Sequence, residues 1–244
     1  MILDIYKDSL EYSAKDWKTL VILGIFALFH FLLIPAFLIT GYNYRVINTA
    51  VHGIINGRDP LPGFDDIIEM FIDGVKVVIV QIAYLIVPAV IFLIFAVLAT
   101  QLTGALSAAV ILIGCLITFV VGIAACLMAQ IGICHMAYND GAFSKAFEIA
   151  EIKGVIDEIT WSRCIATYLG LIIITVVIAF VVTALIGLIF TVFGISGFAL
   201  GADAASGIFI LGAFVNSAIA MFLVGPYLSI FNARSIGLLY TMQI

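Results

Sequence analysis

A chain of 244 residues that is 65% hydrophobic and 10% charged, with a mean hydropathy of +1.30, carries more apolar surface than a soluble domain of that size can bury. A soluble globular fold is excluded, and lipid becomes the solvent. The net charge of −5, with no cluster among the ten Lys and Arg residues, excludes nucleic acid as a partner.

Residues 1–17 mix acids with lysines, and no short apolar run ends in an Ala-x-Ala site, so they do not read as a cleavable signal. Ile2, Tyr6, Leu10 and Trp17 recur near helical spacing with charges opposite, which predicts an N-terminal interfacial helix. A spanning helix needs about 20 apolar residues to cross a hydrocarbon core of about 30 Å. By that measure residues 18–244 form a single transmembrane helical domain with spans over 18–41, 77–99, 108–136, 163–193 and 207–239. The fold class is all-α, a polytopic transmembrane bundle of about five spans with amphipathic interfacial helices. Extra breaks in the long later segments would give six. Pro35 and Pro88 lie inside the first two spans and predict kinks.

Between the first two spans, Gly57 can end a helix, and Pro60 and Pro62 hold an extended stretch. Beyond it, Phe64, Ile67, Ile68, Phe71, Ile72 and Val75 form one apolar stripe against Asp65, Asp66, Glu69 and Asp73, which predicts a helix lying on the membrane surface. Between the third and fourth spans, Phe143, Ala146, Phe147, Ala150, Val155, Ile156 and Ile159 oppose Lys145, Glu148, Glu151, Asp157 and Glu158 in the same way. With five spans, both connectors and the C-terminus share a side holding Arg45, Arg58, Lys76, Lys145, Lys153, Arg163 and Arg234, while Lys7, Lys15 and Lys18 lie opposite. The positive-inside rule then places the connectors and C-terminus in the cytoplasm and the N-terminus outside.

Polar residues inside the spans are few. Gly41, Gly132 and Gly225 each precede an asparagine by seven residues, namely Asn48, Asn139 and Asn232. Each pair shares a helix face, so the three asparagines can form a polar layer, or simply mark where helices leave the membrane. His30 sits mid-way along the first span, a candidate polar contact with Gln81, Gln130 or Asn216 on another helix. Small residues four apart, Gly114 to Cys126 in the third span and Gly225 to Gly237 in the fifth, predict tight helix packing there. Cys115, Cys126, Cys134 and Cys164 form no Cys-x-x-Cys pair and read as apolar fillers.

Asp65, Asp66 and Glu69 spell D-D-x-x-E, which resembles magnesium-binding motifs of membrane prenyl-transfer enzymes, but no second acidic motif of suitable spacing accompanies it. No phosphate loop, nucleophile elbow or His-Glu-x-x-His pair occurs. No catalytic residue, metal or cofactor is therefore assigned.

The run Gly41, Tyr42, Arg45 and Val46, followed by Leu61, Pro62, Asp65 and Asp66 and then by Phe71 and Gly74, resembles the domain-of-unknown-function 4013 family. Phe64 supplies the aromatic common before the Asp-Asp pair, and Asp16-Trp17 matches an upstream element. The resemblance is specific over roughly the first third of the chain. It implies an all-helical, multi-pass membrane protein of bacterial or archaeal cell membranes, and no known activity.

The resulting expectation is a non-catalytic membrane module, accessory, lipid-organising or partner-binding, working at its cytoplasmic interface. Its expected partners are membrane lipids, with a protein partner or a homo-oligomer as further options. The interface motif Gly41, Tyr42, Arg45, Asn48, Leu61, Pro62, Asp65 and Asp66 is the candidate site, with Asn48, Asn139, Asn232 and His30 as a candidate polar cluster. The alternatives are a small transporter or channel, and a lipid-modifying enzyme using Asp65, Asp66 and Glu69.

Overall fold

The computed structural model describes residues 2–57 and 59–243, and every regular element in them is helical. Arg58, one of the basic residues used for orientation, lies outside the described residues. In chain order the helices are α1 (Ile2–Ser13), α2 (Trp17–Leu28), α3 (Leu33–Val51), α4 (Ile67–Thr100), α5 (Gly104–Tyr138), α6 (Ile149–Ile159), α7 (Trp161–Gly197), α8 (Ala202–Ile219) and α9 (Gly225–Tyr240). A π-helical turn, Ala220–Val224, joins α8 to α9 without a break. Pro226 lies in the first turn of α9, where its missing N–H favours such a widened turn.

Four helices among the described residues are long and apolar enough to cross a membrane: Ile67–Thr100, Gly104–Tyr138, Trp161–Leu200 and Ala202–Tyr240. The segment predicted as the first span, 18–41, is instead two helices. α2 has 12 residues, a rise of about 18 Å, too little for a core of about 30 Å. Its backbone turns at Phe29 to Leu32, where the Leu32 N–H donates to the Phe29 carbonyl at 2.9 Å. α3 then starts at Leu33, so Pro35 falls in a first turn, where the absent N–H costs no hydrogen bond. The proline marks a helix start rather than a kink. Pro88, in contrast, lies within continuous α4.

Both ends of this hairpin meet at the same end of the molecule. Lys15 Nζ donates to the Asp59 carbonyl at 2.9 Å, and the Asn56 N–H donates to Asp8 Oδ2 at 2.6 Å. Helices α2 and α3 therefore form a re-entrant hairpin, with Phe31 and Leu33 about three-quarters exposed at its apolar tip. The hairpin moves the N-terminus to the side of the connectors, correcting the expectation that it lies opposite. Lys7, Lys15 and Lys18 move with it.

The amphipathic stretch before the second span is not a separate surface helix. It forms the first turns of α4, which has 34 residues and rises about 51 Å, well beyond the hydrocarbon core. Asp73, expected on the polar side, is buried with Met70 and Gly74 on the face that meets α3. The α5 to α7 connector does form its own helix. α6 buries Ile152, Val155, Ile156 and Ile159, while Phe143, Phe147 and Ala150 remain exposed. α1, which packs on α9, buries Ile5, Tyr6, Ser9 and Tyr12; of the predicted stripe, Ile2 and Leu10 are partly buried against the same core, and Trp17 is exposed at the start of α2.

The Thr160 corner between α6 and α7 has φ 80° and ψ 133°, a region costly for a β-branched residue by about 1–3 kcal/mol. Thr160→Gly is expected to raise the unfolding free energy despite glycine's entropy, to be read by denaturant titration in detergent. A loss of stability would show the corner to be unstrained.

The buried core is concentrated at the charged end, where α1, α3, α5, α6 and α9 converge with the first turns of α4 and α7. Beyond it the molecule divides into two hairpins. α4 packs on α5, with Phe95 seated on Gly114, and α7 packs on α8, with Phe190 on Gly212 and Phe209 on Gly194. No extensive contact joins the two hairpins. In α5 the predicted small-residue stripe packs only in part, since Gly122 meets nothing. In α9 Gly237 closes tightly on Ile47 and Ala50 of α3.

Candidate functional site: a charged platform over a polar chamber

The interface motif acts first as a clasp between α3, the loop and α4. Gly41 and Gly74 face each other where the helices cross, and a Cβ on either would strike backbone carbonyls, of Met70 and Phe37 respectively. Next to Gly41, Tyr42 stacks on Phe64 at 4.9 Å between centroids and donates its hydroxyl to the Pro62 carbonyl at 3.1 Å. Arg45 donates to the carbonyls of Gly63, Asp65 and Asp66, so its guanidinium holds the loop that starts α4. Asp66, at φ 51°, takes the left-handed conformation that Asp tolerates better than most residues. The motif side chains thus make local bonds, and the carboxylates of Asp65, Asp66 and Glu69 do not converge on a common point.

A second tie spans the chain. Fully buried Arg234 on α9 donates from Nε to Asp8 Oδ1 at 3.0 Å and from Nη2 to Asp59 Oδ2 at 2.8 Å. Its guanidinium lies 4.4 Å over the Tyr12 ring. Burial pushes the Tyr12 phenol up to about 12, so it stays protonated and donates to the Pro60 carbonyl. The network was not legible in local spacing, because Asp8 and Arg234 stand 226 residues apart.

A third group joins α5, α6 and α9. His135 Nδ1 lies 2.7 Å from Tyr240 Oη and Nε2 lies 2.9 Å from Glu151 Oε2. Among the described residues, His135, Glu148 and Glu151 are the one group whose ligand atoms gather closely enough for a metal. Lys145 already occupies that position as a cation, 2.7 Å from Glu148 and 3.4 Å from Glu151. The group therefore reads as a docking contact for α6.

The pH behaviour of that contact follows from its charges. Hydrogen bonding by His135 holds the Glu151 carboxyl below its ordinary 4.5, and hydrogen bonding to Glu148 holds Lys145 above its ordinary 10.5. A depressed acid contributes stability above its unfolded value, lost as pH falls through the folded value; a raised base contributes below its unfolded value, lost as pH rises through the folded one. Emission from Trp161, read in a Trp17→Phe background, is expected to stay constant between these limits and to shift below pH 4.5. A shift complete by pH 6 would contradict the assignment.

Below the platform, α3, α4, α5 and α9 line a half-open chamber of about 230 Å³. Asn43, Gln81, Gln130 and Asn232 line it with Thr40, Tyr44 and Ser229, and no charged side chain is in its wall. Gln81 stands 14 residues into α4, about 21 Å from its start. Asn232 donates to the Leu228 carbonyl and lies 3.4 Å from Thr175 of α7. Asn43 Oδ1 and Tyr44 Oη are buried without a hydrogen-bond partner among the described residues. An unpartnered buried polar group costs roughly 1–3 kcal/mol.

Only Asn232 of the predicted asparagine layer reaches this chamber. Asn48 approaches the Ala137 carbonyl at 3.5 Å, and Asn139 caps α5 by donating to the His135 carbonyl at 2.7 Å. His30 lies exposed on the hairpin turn, its Nδ1 3.1 Å from the Ala27 carbonyl, and bonds to none of Gln81, Gln130 and Asn216. Asn43, which follows the Gly41-Tyr42 pair, carries no spacing signal that separates it from a surface residue.

Four membrane-length apolar helices, a re-entrant hairpin and charges gathered at one end define a polytopic α-helical membrane protein. The chain belongs to the family described as a protein of unknown function (DUF4013), whose model matches residues 25–191, more than half its length. The match takes in part of the hairpin, the α3–α4 clasp, α5, α6 and most of α7. No curated protein and no solved structure matches the chain.

Proposed function

We propose that the chain is a non-catalytic, lipid-organising module of a prokaryotic cell membrane, working from a cytoplasmic platform. The observation that carries this is the division beneath the platform: the most apolar windows of the four spanning helices are only 17%, 17%, 0% and 6% buried within the protein. Lipid must supply the missing contacts, because packing rather than the hydrophobic effect holds helices together in a bilayer. Orientation rests on charge. All nine described Lys and Arg residues lie at the platform end, and the far end carries Asp203 alone among described charged residues. That asymmetry supports a cytoplasmic platform under the positive-inside rule. The D-D-x-x-E acids, exposed and unconverged, favour no lipid-modifying chemistry. A transporter reading has the polar chamber in its favour, and it is distinguished by solute flux in proteoliposomes.

The test is lipid dependence. Protein purified in mild detergent is expected to carry lipids into native mass spectrometry, to lose thermal stability on exhaustive delipidation, and to regain it when lipid is returned. Unchanged melting after delipidation would overturn the reading.

A further inference from the structure

We propose that the chamber between α3, α4, α5 and α9 binds a small uncharged polyhydroxy group, such as a free polyol or the sugar head of a neutral glycolipid. This goes beyond lipid organisation and stands independently of it.

Four observations converge. First, the wall is amide and hydroxyl rather than acid or base, with Asn43, Gln81, Gln130 and Asn232 from four different helices. A carboxamide offers two donors and an acceptor, and a hydroxyl offers both roles, so this wall matches a ligand that both donates and accepts at several adjacent positions. Second, Thr40 and Ser229 donate their hydroxyl hydrogens to the Ala36 and Pro226 carbonyls, which leaves their oxygens free to accept. Third, half-buried Gln81 and Gln130 make no hydrogen bond to a described residue, and unpaired amides facing a shared space point to an occupant. Asn232 is held by the Leu228 carbonyl and Thr175, which fixes its amide on the wall. Fourth, at about 230 Å³ the space has room for several waters and is smaller than a drug-sized site.

The absence of charge in the wall selects against ionic ligands. A phosphate or ammonium entering this part of the span would be desolvated with no countercharge to meet it. A hydroxyl-rich neutral group loses only hydrogen bonds that the amides return.

The experiment is equilibrium binding to the purified full chain. Tritiated glycerol, myo-inositol and glucose probe the free polyols in detergent, and a monoglucosyl diacylglycerol doped into phosphatidylcholine nanodiscs probes the lipid-borne source. Saturable binding in either arm is expected, weakened at least tenfold by Gln81→Leu and several-fold by Gln130→Leu. Gln130→Leu removes a second unbonded amide at similar volume, so it tests the site in a folded protein, as judged by an unchanged melting temperature. The arm that binds identifies the source. Absence of saturable binding in both arms, binding unaltered by Gln81→Leu and Gln130→Leu in folded protein, or displacement of the polyol by sodium or potassium ions, would each overturn the proposal.

Discussion

Arg234→Ala is expected to lower the unfolding free energy by about 3–5 kcal/mol, the range found when one partner of a buried ion pair is removed. The guanidinium is wholly buried and Asp8 is 5% exposed, so the aspartate would be left in a nearly dry site without its cation. Tyr12 would lose the charge on its ring, and Asp59 its link to α9. Since these bonds join α1, the α3–α4 loop and α9, the loss should loosen the whole platform. Arg234→Lys should recover little, because a single ammonium cannot reproduce the separate Nε and Nη2 donations. Arg234→Met combined with Asp8→Leu should recover much more, because no unpaired charge remains buried beside α9. SDS titration in mixed micelles reads all three. A single-variant loss under 1 kcal/mol would show that water reaches the site.

Gly41→Ala and Gly74→Ala are expected to cost about 1–3 kcal/mol each, the usual range for overpacking. In both cases the new methyl would meet backbone carbonyls, Met70 for one and Phe37 for the other, which no side-chain rotation relieves. Separating α3 from α4 is the remaining response. That movement pulls Tyr42 from Phe64 and draws Arg45 from the carbonyls it holds, so the clasp fails together. One separation accommodates both methyls, so the double variant should cost less than the sum of the singles. Additive losses would show that the glycines act separately.

These two features differ in how far the sequence discloses them. Gly41 and Gly74 stand within one motif run, and small residues on adjacent helices signal close approach. Arg234 reads locally as one more basic residue at a helix end; its partners are set by tertiary docking alone. Hydropathy identifies the membrane class, the long helices and the surface character of α6. It cannot separate a 24-residue span from two shorter arms of equal apolarity, which is why residues 18–41 read as one helix. Pro35 carried the available signal, since its position suits a helix start as well as a kink. The chamber was hidden for another reason. Asn43, Gln81, Gln130 and Asn232 come from four helices, and no periodicity within one helix reports a meeting between several. The Gly-x6-Asn spacing found one of the four and led elsewhere for the rest.

The account depends most on the re-entrant hairpin and the single charged end. Single cysteines at Ala14, Ala105, Ala142 and Ala202, in a chain with its four native cysteines replaced by alanine, can be treated with a membrane-impermeant maleimide on intact cells. Ala105→Cys and Ala202→Cys should label, while Ala14→Cys and Ala142→Cys should label only after the cells are opened. Labelling of Ala14→Cys from outside, together with Ala202→Cys, would show that residues 18–41 cross the membrane and would contradict the hairpin.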